Sequence, residues 1–298
     1  MKKILVSIGI AVIGLGLMLP SFSSIAKADA VPGDIIVTLG QDLTADQQNQ
    51  VLNDMGVNKD DVQIVYVNNS EEHQYLDKYV PQSEIGTKSI SCAEITLGNK
   101  GDGLVVQTNN ITYITSDMYR NALSTAGVTD AKIYVTAPFP VSGTGALTGI
   151  IKAYEKSSGS AINETQKQAA NEEMAQTAQL ASKPDVGQDK AVQFMQQVKE
   201  QISKQKPQTT DQLRSLIQQV ADNMGIKLTA DELNQLVDLF NKIKNLNIDW
   251  TKVNQTYQTA KAKWDQFSNS DQGKSIISSF LAFLKSIGHA IMSFFSKS

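Results

Sequence analysis

Cys92 and His73 are the side chains of this sequence best suited to covalent chemistry. A thiolate beside an imidazole is the nucleophile and base of papain-like enzymes, because the imidazolium stabilises the thiolate. Cys92 is the only cysteine, and His73 and His289 are the only histidines. Yet Ile90, Cys92 and Glu94 alternate against Ser91, Ala93 and Ile95, the pattern of a strand, and no signature of a catalytic cysteine surrounds them. The pattern makes Cys92 a buried, inert thiol. Serine hydrolysis lacks a GxSxG, and two separated histidines with one cysteine complete neither a catalytic nor a structural zinc centre. Asp60 with Asp61, and Glu71 with Glu72, read as solvated neighbours on exposed turns without EF-hand spacing. Nothing here assigns a catalytic residue, a cofactor or a metal ligand.

A binding chemistry is offered by Ser142, Gly143, Thr144 and Gly145, which precede the helical stretch ALTGIIKAYEK. Free amides at a helix start can hold an anion. A phosphate loop would place a lysine after the second glycine, where Ala146 stands. The competing role is a strand-to-helix turn capped by Ser142 or Thr144, ended on its strand side by Pro138 and Pro140.

The elements that must position these residues change character along the chain. From Asp34 to Thr136 short β-branched runs (DIIVTLG, VQIVYV, SISCAEITLG, GLVVQT, AKIYVTA) alternate with helical stretches, each opening at a threonine cap and closing at a glycine. Leu52, Gly56 and Val57 before one strand match Leu123, Gly127 and Val128 before another, so a βαβ-like unit is expected twice, each with a right-handed crossover. EITLGNKGDGLVVQT reads as a hairpin between them. The expected fold is α+β, a mixed β-sheet sandwich with helices on one face.

After Gly159 the spacing becomes three and four. Val192, Met195, Val198 and Ile202 form one stripe, and Leu213, Leu216, Ile217 and Val220 another; Leu236, Val237, Phe240 and Ile243 follow a capping box from Thr229 to Glu232. An all-α helical bundle is expected over 191–298, after an α+β domain over 29–159. Residues 160–190, rich in Gln and Ala, read as a helical connector or linker, exposed and breaking at Lys183 before Pro184.

The run from Met118 to Gly159, with ISCAEITLGNKGDGLVVQTNNITYIT before it, resembles the YpuA-like family of secreted Firmicute proteins of unknown function. The resemblance covers the chain after its leader and is most specific over Ile111 to Gly159. It implies an exported Gram-positive protein and brings no activity with it.

Lys2 and Lys3, the apolar run Ile4 to Leu19, and Ala26 and Ala28 lay out a signal peptide, so residues 1–28 are expected to be removed near Ala28 and the protein to be secreted or held at the cell envelope. No cysteine follows the cut and no LPxTG stands near the end, so attachment by lipid or sortase is not expected. With 27 Lys and Arg against 30 Asp and Glu, net −3, nucleic acid is not an expected partner. Near the carboxy terminus Ile277, Phe280, Leu281, Leu284, Ile287, Ile291 and Phe294 share one helical arc, with Lys285 and His289 opposite. That arc either closes the bundle or contacts a membrane surface or envelope partner. The sequence thus favours a non-enzymatic binding or scaffolding protein of the envelope, with ligand undefined. The alternatives are an extracytoplasmic hydrolase, such as a carboxylate-pair glycosidase, and a self-assembling surface protein.

Overall fold

The computed structural model describes residues 32–246 and Ile248. The leader and the terminal arc, with Ile277, Phe280, Leu281, Leu284, Ile287, Ile291 and Phe294, lie outside the described residues. The chain is α+β, and among the described residues five strands form one mixed sheet of order β2-β1-β3-β5-β4. The strands are β1 (Ile35–Gly40), β2 (Gln63–Val67), β3 (Cys92–Leu97), β4 (Leu104–Thr108) and β5 (Ala131–Thr136). β1 pairs in parallel with β2 and β4 with β5, while β3 runs antiparallel to both β1 and β5.

The hairpin expected of β3 and β4 does not form, because β5 lies between them. Asp130, at the foot of β5, holds the connection open: its carboxylate accepts from the amides of Gly101 (2.9 Å) and Gly103 (3.0 Å), and its carbonyl from Gly98 (3.0 Å). Alternation fixes which face a side chain takes; it does not name the neighbouring strand.

Helices α1 (Ala45–Met55) and α4 (Ser116–Thr125) connect the two parallel pairs. Both start as expected, at Thr44 and Thr115, whose side chains accept the Gln47 and Met118 amides. Both end in the same cap. Gly56 and Gly127 adopt φ of 72° and 83°, and the following Val57 and Val128 donate back to Leu52 (3.1 Å) and Leu123 (2.9 Å).

The helices nevertheless cover opposite faces. Val51 and Leu52 of α1 pack on Val37, Leu39 and Cys92, whereas Met118, Ala122 and Leu123 of α4 pack with Ile36, Ile95, Val106 and Ile133. Both connections step the same way across the sheet, from β1 out to β2 and from β4 in to β5, between strands of one direction. Their hands are therefore opposite, and one departs from the right-handed rule. Helices on one face only, as expected from sequence, is likewise corrected.

Between β2 and β3 stand α2 (Asn69–Leu76) and the short α3 (Gln82–Ile85). Asn68 opens α2 with a capping box to Glu71, so Glu71 and Glu72 sit in a helical first turn and not on an exposed one. Helix α5 (Ala146–Ser158) follows β5 and lies on β1, β2 and β3, ending at Gly159 with φ of 62°.

Helices α6 (Glu164–Ala181), α7 (Gly187–Gln205), α8 (Thr210–Asn223) and α9 (Ala230–Lys244) pack each on the next, and α9 returns to α6. The apolar stripes read from sequence are the buried faces of α7, α8 and α9, and Thr229 and Glu232 form the expected capping box. α6 differs from its expected exposure. It is buried along most of its length, sending Ala170, Met174, Ala175 and Ala178 into the core beneath the sheet and Ala169 and Leu180 into the core of α7 to α9. Alanines let neighbours approach from two sides, so a stretch poor in large apolar residues still forms an interior helix.

Buried charged groups at this junction are paired. Lys199 Nζ of α7 lies 2.7 Å from Glu173 Oε1 of α6 and donates to Asn121 Oδ1 (3.0 Å), while Thr125 donates to Glu173 from α4. Lys199 is 4% and Glu173 0% exposed, so this is an interior ion pair satisfied from three helices.

Candidate ligand pocket between α2, α5 and α6

Three helices point polar side chains into one space. Glu71, Gln74 and Tyr75 follow the i, i+3, i+4 spacing on α2; Thr148, Ile151 and Lys152 repeat it on α5; Lys167 and Asn171 stand four apart on α6. Residues so spaced share a helix face, and the three faces enclose about 160 Å³.

The rim is charged. Lys152 Nζ donates to Glu71 Oε1 (2.6 Å) and to the Tyr66 carbonyl (2.9 Å). Lys167 Nζ lies 3.0 Å from Glu155 Oε1 and 3.5 Å from Glu164 Oε2. Burial alone would lower the Lys167 pKa, but the hydrogen bond and charge of Glu155, with Glu164, raise it, so this ammonium stays charged. Tyr75 donates to Glu164 Oε1 at 2.7 Å; burial and then Glu164 push the phenol well up, so it remains a neutral donor.

The floor is polar, buried and unpaired. Thr148 is 4% and Asn171 0% exposed, and neither Thr148 Oγ1 nor Asn171 Oδ1 has a hydrogen-bond partner. Such atoms are rare in native proteins, since each costs about 1–3 kcal/mol to desolvate unpaired. Asn171 Nδ2 donates to the Lys167 carbonyl (2.9 Å), an acceptor only, which orients Oδ1.

A second space of about 280 Å³ lies between the β4–α4 connection and α7. Several of its polar groups are engaged: Thr108 with Ser116 at 3.3 Å, Thr115 with the Met118 amide at 3.3 Å, and Asp117 with Arg120.

Cys92 is fully buried on the α1 face, and burial pushes its thiol up to about 12. The sheet separates it from α2, which carries His73 and packs Leu76 into the opposite core. His73 instead lies 2.5 Å from Asp77 and 3.2 Å from the Gly86 carbonyl. No nucleophile and base come together there. Among the described residues no group of three or more His, Cys, Asp or Glu stands where it could hold a metal, and no helix is long and apolar enough to cross a membrane.

At the start of α5, Ser142 and Thr144 bond each other at 3.3 Å, and neither caps the helix. The cap position is Gly145, and the carboxyl of Glu72 packs against it: a Cβ at Gly145 would stand 2.2 Å from Glu72 Oε1. Gly143 is equally confined, by Ile111 and by Tyr119, whose hydroxyl donates to the Gly143 carbonyl. Of the four residues, Gly145 thus meets a carboxyl of the protein itself. Burial pushes Glu72 up to about 7, with Asp42 and Glu71 adding to the rise and Ser89 and His73 opposing it.

Of the pocket residues, only Glu71 stands out in the sequence, and there as solvated charge. Thr148 on the buried face of an apolar helix, and Asn171 among alanines, were the available signals.

A model of the family described as protein of unknown function (DUF1002) matches residues 39–260. Over 296 residues, 99% of this chain and 100% of the relative, the sequence is 46% identical to a Bacillus subtilis (strain 168) protein described as "Uncharacterized protein YpuA". No solved structure matches.

Proposed function

From the premise that this chain belongs to the DUF1002 family of proteins of unknown function, we propose that it is an exported protein of the cell envelope that binds a small polar molecule between α2, α5 and α6 without transforming it. One observation carries the binding half: Thr148 Oγ1 and Asn171 Oδ1, buried and unpartnered, belong to residues lining the same pocket beneath two lysines. A ligand in the pocket would satisfy both atoms, which the protein leaves unpaired. The export half rests on the layout of residues 1–28. The terminal apolar arc supplies a contact for a membrane surface or an envelope partner.

Ligand-observed NMR with a library of small polar fragments tests the binding. Hits are expected that disappear in Asn171→Leu. An empty screen, or hits indifferent to that substitution, rejects the pocket as a binding site. Recovery outside the cytoplasm of a chain beginning near Asp29 tests the export; retention of the full-length chain inside rejects it.

A further inference from the structure

Resting on the pocket as a binding site, we infer that its ligand is a small carboxylate carrying an amino or hydroxyl group on the adjacent carbon. Size sets the first limit. A volume of about 160 Å³ is room for about five waters at roughly 30 Å³ each, and lies below the ~300 Å³ at which drug-sized sites begin. Sugar chains, nucleotides and lipids are too large to be enclosed.

Polarity sets the second. An ammonium has three N–H donors. Lys152 spends two, on Tyr66 and Glu71, and Lys167 spends its own on Glu155 and more distantly on Glu164, which leaves each lysine an N–H for an incoming anion. A carboxylate meets that need, its two oxygens matching two donors.

Asn171 sets the third. Its Nδ2 is committed to the Lys167 carbonyl, so Oδ1 accepts and asks for a donor. Thr148 Oγ1 beside the same space can give or take one. A bare carboxylate would answer the lysines and leave Asn171 unpaired. A bare amine would answer Asn171 and leave the remaining N–H of each lysine without an acceptor. Both needs are met within this small volume by a molecule with the two groups on neighbouring carbons.

The test titrates the exported chain, as recovered from the producing cells, with glycine, L-alanine and L-lactate, against acetate, ethylamine and glycerol. The readouts are melting temperature and calorimetry. Alanine or lactate should raise the melting temperature saturably, with half-saturation at least tenfold below that of acetate, ethylamine or glycerol; the alanine and lactate arms separate an amino from a hydroxy acid. Asn171→Leu should abolish the shift, and Thr148→Val should weaken it. If Asn171→Leu does not fold, the rim variant Lys152→Met is read in its place, with at least a tenfold loss expected. Equal binding of acetate or glycerol overturns the inference, as does unchanged binding in the variant that folds. Should none of the six probes bind while unrelated fragments still depend on Asn171, the ligand class falls and the pocket stands. Should both screens be empty, both fall.

Discussion

The Glu72 carboxyl occupies the space that a side chain on Gly145 would need, Oε1 lying 2.2 Å from where that Cβ would be. It is buried, with this oxygen unbonded, at the first turn of α5.

The first prediction concerns pH. The folded-state pKa of Glu72 is raised from 4.5 to about 7, so the folded chain binds this proton more tightly than the unfolded one. The contribution of Glu72 to stability is fully present below pH about 4.5 and is lost as pH rises through about 7, about 3 kcal/mol in all. Glu72→Gln, neutral throughout, should flatten that part of the stability profile and melt higher than the parent at pH 8. Urea melts from pH 5 to 8 check it; an unchanged slope places the titration elsewhere.

Gly145→Ala has no φ penalty, since the residue sits at −73°, so its cost is steric. Loss of about 1–3 kcal/mol is expected. In a Glu72→Ala background the same substitution should cost much less, because the clashing carboxyl is gone. Additive costs in the double-mutant cycle would show that the two residues do not share the space.

Lys199→Met leaves Glu173 charged and buried, and should cost about 3–5 kcal/mol. Pairing it with Glu173→Leu should return most of that loss, since matched apolar replacements of an interior ion pair are often neutral or better. Chemical denaturation of the parent, the single variants and the double variant decides. A double variant no better than Lys199→Met would mean that Thr125 and Asn121, left behind, dominate.

Cutting the chain between Gly159 and Glu164 should release a sheet-containing fragment that aggregates, because α6 covers part of its core with Ala170, Met174, Ala175 and Ala178. Adding residues 160–205 in trans should restore solubility. A fragment that stays folded alone, by circular dichroism, would show that the sheet and its own helices suffice.

Deletion of Lys274 to Ser298 tests the terminal arc. Since α9 already returns to α6, the described helices close on themselves, and the expected result is a nearly unchanged melting temperature with loss of flotation on anionic liposomes. A large drop in melting temperature with no flotation by the intact chain would assign the arc to the bundle.

Much of this fold is legible in the sequence where one residue acts on its near neighbours. Thr44, Thr115 and Thr229 mark helix starts because a cap is settled within three residues. The stripe from Val192 to Ile202 marks a buried face for the same reason. What stayed hidden depends on distant partners. Asp130 reaching the glycines of the β3–β4 connection decides where β5 inserts. The match of Leu52, Gly56 and Val57 to Leu123, Gly127 and Val128 reports a shared helix ending, while the faces of α1 and α4 differ. The pocket is harder still, since Glu71, Thr148 and Asn171 come from three helices and none is unusual in its own.

The burial of α6 on two sides has a consequence for synthesis. The helices that lie on the sheet are complete at Ser158, but the side of α4 that packs on α6 is not covered until Ala181 has been added, some 23 residues later. At about 5–20 residues per second the nascent chain spends roughly 1–5 seconds with that apolar side of α4 open. A factor that holds unfinished chains has those seconds in which to act, and a stop codon just after Gly159 would make the interval permanent.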